Sequence, residues 1–244
     1  MSLPLASPLE ALLAQDDPTV HLDLAALEIA RVESPKLDVA PFLDLLDSHA
    51  RELRQLTSIN IASTDNIGEA RVRTANQYLF EQLGFHGNET DYYAPSNSCF
   101  NEVLLQRTGI PVTLAVVYLE LARRLDWPIA GISMPGHFII QYDDGDFDCY
   151  IDPYAGRIMD FDDCRKLAFQ IQQVDITKRP EVMEPATNWQ IVLRILHNLR
   201  GVYAKRKEYA KLAKVLDWIL IAMPDSKQDR ELREQIRQYM RLLN

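Results

Sequence analysis

The sequence predicts an α+β fold, mostly helical, in which N-terminal helices and a C-terminal helical tail flank a core with a small antiparallel sheet. Three observations predict it. Apolar residues recur at helical spacing through the first and last thirds of the chain. The middle holds one segment, Thr113 to Leu125, that is apolar nearly all round, as a helix buried on every side must be. Three short β-like runs follow it, and an Asp-Gly turn signal joins two of them.

Taken in order, Leu22, Ala25, Ala26 and Ile29 share one helical face, as do Phe42, Leu43, Leu46, Ala50 and Leu53. Pro18, Pro35 and Pro41 punctuate these stretches, and Pro41 suits a first helical turn. A third helix is expected over 65–83, with Val72, Ala75, Leu79 and Leu83 on one side and Gly84 as its stop. Phe85 to Ser98 (FHGNETDYYAPSNS) reads as a long polar and aromatic loop, of the kind that often carries function. A short helix over 100–106, broken by Gly109 and Pro111, leads into the buried helix. Strands are expected over 127–132, 137–142 and 147–151, then a short helix over 164–172. Pro180 and Pro185 mark a boundary. Beyond it Val192, Ile195, Leu196, Leu199 and Tyr203 form one stripe. Tyr209, Leu212, Ala213, Leu216 and Leu220 form a second, and Leu232, Ile236, Tyr239 and Leu243 a third. Antiparallel helices joined by short turns fit these stripes. The expected division is 1–84, 85–180 and 186–244.

The 244 residues, 47% of them hydrophobic, can fill one large domain or a domain with an appendage. A formal net charge of -9 argues against non-specific nucleic-acid binding, which needs clustered Lys and Arg. The start, MSLPLASPLEALLAQDD, lacks the basic and long apolar regions of a signal peptide. The longest apolar run, Leu114 to Leu119, is too short to span a bilayer, so no membrane association is expected. Cys99, Cys149 and Cys164 form no C-x-x-C pair and read as the reduced thiols of a cytoplasmic protein. No H-E-x-x-H or paired-cysteine spacing suggests a metal, and no motif suggests a cofactor.

The hairpin is the most specific local feature. HFIIQY runs through Asp143-Asp144-Gly145-Asp146 into FDCYID. A turn centred on Asp144-Gly145 sets Tyr142 opposite Phe147, Ile140 opposite Cys149 and His137 opposite Asp152. Opposed residues have Cβ atoms roughly 4.5–5.5 Å apart, within reach of an imidazole–carboxylate hydrogen bond. Alternation puts Ile139, Gln141, Asp148 and Tyr150 on the face of that pair and Cys149 on the other. The pair reads either as two members of a catalytic triad or as a polar pair satisfying itself at a strand end.

Five blocks stand in order along the chain: GF-x-GN at 84–88, NS-x-x-N at 97–101, GIP at 109–111, PGHF at 135–138 and DP at 152–153. Together they resemble the SirB-type family of bacterial proteins, densely from Phe80 to Gly156 and more loosely elsewhere. The resemblance implies a papain/transglutaminase-like core followed by a tetratricopeptide-like tail. In such cores a cysteine opens the buried helix, where the helix N-terminus favours its thiolate. Histidine and aspartate come from successive strands, and His137 and Asp152 fall on those two positions. At the first position stands Pro111-Val112-Thr113, without a cysteine. Thr113 offers a hydroxyl that serves either as a weak nucleophile or as a cap. Cys99, at the start of the preceding helix, is either a nucleophile acidified by that helix end or a small buried hydrophobe. Asn97 and Asn101 either line the same pocket as hydrogen-bond donors or hold the loop.

In the tail, HNLRGVYAKRKEYAKLAKVLDWILIAMPDS looks like a tetratricopeptide helix pair, which must pack on the core or on a neighbour to cover its own face. Its Lys205, Arg206 and Lys207 form a solvated turn or a dock for an acidic partner. Two functions follow. One is a degenerate, non-catalytic transglutaminase-like protein that binds a protein or peptide partner, in a regulatory role. The alternative is a cysteine-dependent hydrolase or acyltransferase using Cys99, His137 and Asp152.

Overall fold

The computed structural model describes residues 7–15, 21–62 and 64–242. Pro18, Leu243 and the first six residues, which figured in the sequence reading, lie outside them. Four helices come first: α1 (Pro8–Gln15), α2 (Leu22–Ala30), α3 (Ala40–Ile61) and α4 (Ile67–Asn76). The helix expected to run unbroken to residue 83 instead widens into a π-type turn over Gln77–Gln82, where Leu83 N–H bonds the Tyr78 carbonyl five residues back. Tyr78 is buried there, and its hydroxyl donates to Glu52 Oε2 at 2.8 Å. Gly84 ends the segment at φ +76°, a conformation glycine adopts freely.

The loop after Gly84 holds a strand that periodicity did not show. β1 (His86–Gly87) pairs in parallel with β2 (Thr108–Gly109), and α5 (Phe100–Gln106) lies between them in the chain. α6 (Pro111–Arg124) follows, buried at every residue from Pro111 to Ala122. Its far end is anchored by charge: Arg124 bonds Asp23 Oδ2 of α2 and its own Glu120 Oε2, both at 2.7 Å. Buried carboxylates need such partners.

β3 (Ile129–Ile132), β4 (Ile139–Asp143), β5 (Asp148–Asp152) and β6 (Arg157–Met159) form a four-stranded antiparallel meander. One face, with Phe138, Ile140, Tyr142, Cys149 and Ile151, joins the main core around α6. The other, with Ile139, Tyr150 and Met159, is covered by Cys164 and Ala168 of α7 (Phe161–Gln172). β6 is only three residues long and shows no period in the sequence. The outer edge of β3 is covered by the chain at Pro185–Ala186, where Ala186 N–H donates to the Gly131 carbonyl at 2.8 Å.

The hairpin register corrects the expected one by two residues. Tyr142 faces Cys149 and Ile140 faces Ile151, rather than Phe147 and Cys149. The cause lies in the turn carboxylates. Asp144 Oδ1 accepts from the N–H groups of Asp146 and Phe147, and Asp143 Oδ1 from that of Gly145. These bonds draw the loop out to four residues, 144–147. A two-residue slip keeps every side chain on its expected face, because the strand period is two.

Three helices close the molecule: α8 (Asn188–Arg206), α9 (Tyr209–Ala222) and α10 (Lys227–Leu242), with α9 between the other two. Their buried residues, from Ile191 to Ile236, belong to the same cluster as Leu9 of α1 and Val116 of α6. The three segments read from the sequence therefore share one core. No helix among the described residues is long and apolar enough to cross a membrane.

Candidate functional site

His137 Nε2 and Asp152 Oδ1 are 2.9 Å apart, and both residues are buried. With the slipped register Asp152 lies beside Ile139, so His137 reaches it diagonally from a turn just before β4. That turn is Met134-Pro135-Gly136-His137, closed by His137 N–H to the Met134 carbonyl, with Gly136 at φ +73°. Proline followed by a positive-φ glycine is the type II signature. A Cβ on Gly136 would come within 2.6 Å of Ile171 on α7.

Asp152 Oδ1 also accepts from the N–H groups of Tyr154 and Ala155 at 3.0 and 3.3 Å. Burial pushes this carboxyl up, but the hydrogen bonds outweigh it and hold the group below its ordinary value. An ionised carboxylate only accepts, so the Nε2 facing it carries the proton. Nδ1 makes no hydrogen bond to the described residues, and in the neutral ring it carries the lone pair.

The remaining blocks build the wall opposite. Tyr154, just past Asp152, lies on the backbone of Gly87, whose N–H donates to the Tyr154 carbonyl at 3.1 Å. The Tyr154 hydroxyl donates in turn to the Asn88 carbonyl at 2.9 Å. Asn88 Oδ1 accepts from Thr90 and Asp91 N–H, while its Nδ2 donates to Asn97 Oδ1. Asn97 Nδ2 donates to the carbonyls of Asp91 and Tyr92. The two asparagines thus fold the 88–98 loop onto itself and carry Tyr92 to the site.

Tyr92, Ile110, Pro111, Val112, His137 and Phe138 line a slit of about 10 Å³, together with Gly136, Arg194 and Asn198. That is room for roughly one water. His137 thus sits against the first turn of α6, whose side chains there are those of Pro111 and Val112. Arg194 and Asn198 come from α8, and no spacing pattern pointed to either. The available signal was a charge inside an apolar run, IVLRIL at 191–196.

The other candidates stand elsewhere. Thr113 is fully buried, donates to the Asn97 carbonyl at 2.7 Å and accepts from Ile110 N–H at 3.2 Å. Cys99 is the N-cap of α5, but its thiol is buried and pushed up to about 12, the reverse of the acidification its helix end suggested. Burial, with Glu33 and Glu102 nearby, outweighs the helix end. Cys149 and Cys164 are also buried and raised to about 12. Neither Asn97 nor Asn101 lines the slit. Asn101 Nδ2 donates to Glu102, and its Oδ1 is buried without a partner. Among the described residues no group of three His, Cys, Asp or Glu is placed to hold a metal ion.

The transglutaminase-like superfamily model matches residues 40–197, a range that holds α6, the sheet and the His137–Asp152 pair. The chain belongs to the transglutaminase-like superfamily. It is similar to a UPF0162 protein of Xylella fastidiosa, with 35% identity over 231 residues covering 93% of this chain and 80% of that one. A UPF0162 protein of Pseudomonas aeruginosa is 30% identical over 223 residues, covering 91% and 78%. A shorter likeness, 40% identity over 70 residues, links 29% of the chain to 11% of human F-box only protein 21. No solved structure matches. Within the matched range, the first turn of the buried helix brings Pro111 and Val112 to the slit beside His137.

Proposed function

We propose that this chain is a non-catalytic transglutaminase-like protein that uses the His137 slit and its surroundings to bind a protein or peptide partner, in a regulatory role in the cytoplasm. One observation carries the reading. The first turn of α6 presents Pro111 and Val112 to His137, and neither side chain can attack a carbonyl. The thiols support it, since all three are buried and held protonated. So does Thr113, whose hydroxyl is taken up by backbone partners. The His137–Asp152 pair then serves to position an imidazole rather than to activate a nucleophile.

The SirB-type assignment and the tetratricopeptide-like character of α8 and α9 belong to this proposal too. They are supported by the order of the five blocks and by the close packing of the two helices, which a two-residue turn joins. The alternative, a cysteine-dependent hydrolase or acyltransferase, draws on the 2.9 Å His137–Asp152 contact.

Iodoacetamide labelling at neutral pH, followed site by site by mass spectrometry, separates the two. Binding without catalysis predicts slow alkylation of Cys99, Cys149 and Cys164 in the native protein, within about twofold in wild type and His137→Ala. Rapid labelling of one cysteine that drops when His137 is removed establishes the enzyme instead.

A further inference from the structure

The slit beside His137 holds an arginine without a counter-ion. Arg194 is half-buried on α8, and its guanidinium makes no hydrogen bond or ion pair with the described residues. Arg124 and Arg200, buried to a similar degree, are paired with carboxylates, Asp23, Glu120 and Asp47 for the first and Asp229 for the second, and Arg71 bonds the Tyr142 hydroxyl. None of the nine residues that line the slit is acidic. This stands out in a chain whose formal net charge is -9. An unpaired cation held partly out of water is costly to the fold and is a strong anchor for an incoming anion. Burial accordingly shifts the Arg194 guanidinium below its ordinary pKa.

Around this cation the slit offers a specific set of groups. In the neutral ring His137 Nδ1 is an acceptor, because Nε2–H is committed to Asp152. The Tyr92 hydroxyl, with no hydrogen bond to the described residues, can donate. Ile110, Pro111, Val112 and Phe138 make the remainder apolar. A ligand that satisfies all of them carries a planar anion for Arg194, an N–H for His137 and a small apolar group between. The last residue of a peptide has this arrangement in its α-carboxylate, its amide N–H and its side chain. A hydrogen phosphate can donate its P–O–H to His137 but brings no apolar group for Ile110, Pro111, Val112 and Phe138, so it meets less of the lining.

We propose that the slit binds the free C-terminal carboxylate of a partner peptide, with Arg194 pairing the carboxylate and His137 Nδ1 accepting the terminal amide N–H. This rests on the binding reading above and names the end of the partner that the site takes. The Tyr92 side chain must rotate aside to admit the ligand, since the slit has a volume of about 10 Å³ and Asn97 holds the Tyr92 backbone carbonyl. Tyr92 is over a third exposed, at 38%, and its side chain has no hydrogen bond holding it in place.

The test uses the whole protein and an N-acetylated random pentapeptide library in two forms, one with free C-terminal carboxylates and one amidated. Thermal shift and isothermal titration read the binding, with acetate and inorganic phosphate as further probes. The free-acid library should raise Tm in a dose-dependent way and the amidated library should bind at least tenfold more weakly. Arg194→Gln should weaken the free-acid library at least tenfold while keeping the wild-type circular dichroism. Arg194→Lys, which keeps the charge and loses the two-pronged geometry, should fall in between. The proposal is overturned by equal binding of the two libraries, by no binding of the free acids, or by undiminished binding in a folded Arg194→Gln. Acetate or phosphate binding as tightly as the free-acid library overturns the peptide assignment. The outcome is independent of thiol labelling: slow labelling without peptide binding leaves the non-catalytic reading standing, and fast labelling defeats that reading whatever the slit binds.

Discussion

Asp152 shows how one side chain organises this site. It accepts from the His137 ring and from two backbone N–H groups, and these bonds hold it ionised despite burial. Its folded pKa lies below the 3.8 of an unperturbed aspartate, so its stabilisation is present above that value and lost as pH falls through the folded one. Replacing it by asparagine should cost about 1–3 kcal/mol at pH 7 in urea unfolding, through weakened charge-assisted bonds. The gap between wild type and Asp152→Asn should shrink when the measurement is repeated near pH 3. A gap of the same size at both pH values would refute the electrostatic account. The meeting of His137 and Asp152 was legible from the Asp-Gly turn signal and strand alternation, though not as the directly opposed pair expected. Their diagonal geometry was not, because it depends on carboxylates of Asp143 and Asp144 capturing turn amides that a two-residue turn leaves elsewhere. Arg194 was not legible as a site residue either, since its place depends on which face of α8 meets α6.

Among the elements, the join between β1 and the segment after β5 positions the loop that carries Tyr92. Gly87 allows it: a Cβ there would lie 2.3–2.4 Å from ring carbons of Tyr154. Gly87→Ala should therefore destabilise the protein by about 1–3 kcal/mol in denaturant melts, through overpacking against the ring. The penalty should be smaller when measured in a Tyr154→Ala background, because neighbours in contact do not add. Strictly additive effects would mean that the ring is not what Gly87 accommodates. α5 and α6 were readable from the chain because their limits are set locally, by Gly109, Pro111 and the capping hydroxyl of Thr113. β1, β2 and β6 are two or three residues long, too short to show a period, and the β1–β2 ladder joins segments some twenty residues apart, His86 to Thr108.

The larger of the two hydrophobic clusters runs from α1 to α10, and the helical tail is part of it. Trp189 Nε1 donates to the Leu13 carbonyl at 3.2 Å, and Tyr203 and Lys211 bond Glu33 at 2.9 and 2.7 Å. Leu196, Leu199 and Tyr203 are fully buried. Deleting residues 186–244 should therefore abolish cooperative unfolding and leave a protease-sensitive chain, rather than release an intact transglutaminase-like core. A truncated protein with a sharp thermal transition and native protease resistance would show that the core stands alone. If the tail is needed to fold, it is also needed for the slit, because Arg194 and Asn198 come from α8.

By itself the sequence determined the helical ends, the buried central helix, the strand faces and the His–Asp partnership, because each follows from short-range periodicity or from turn and cap chemistry. It also showed that no cysteine opens the buried helix. Only the tertiary structure decided the rest: that Pro111 and Val112 are what His137 meets, that every thiol is sealed in the interior, and that an unneutralised arginine from the tail completes the slit. Those facts depend on how separate elements pack, and packing is set by surfaces that become neighbours only once the chain has folded.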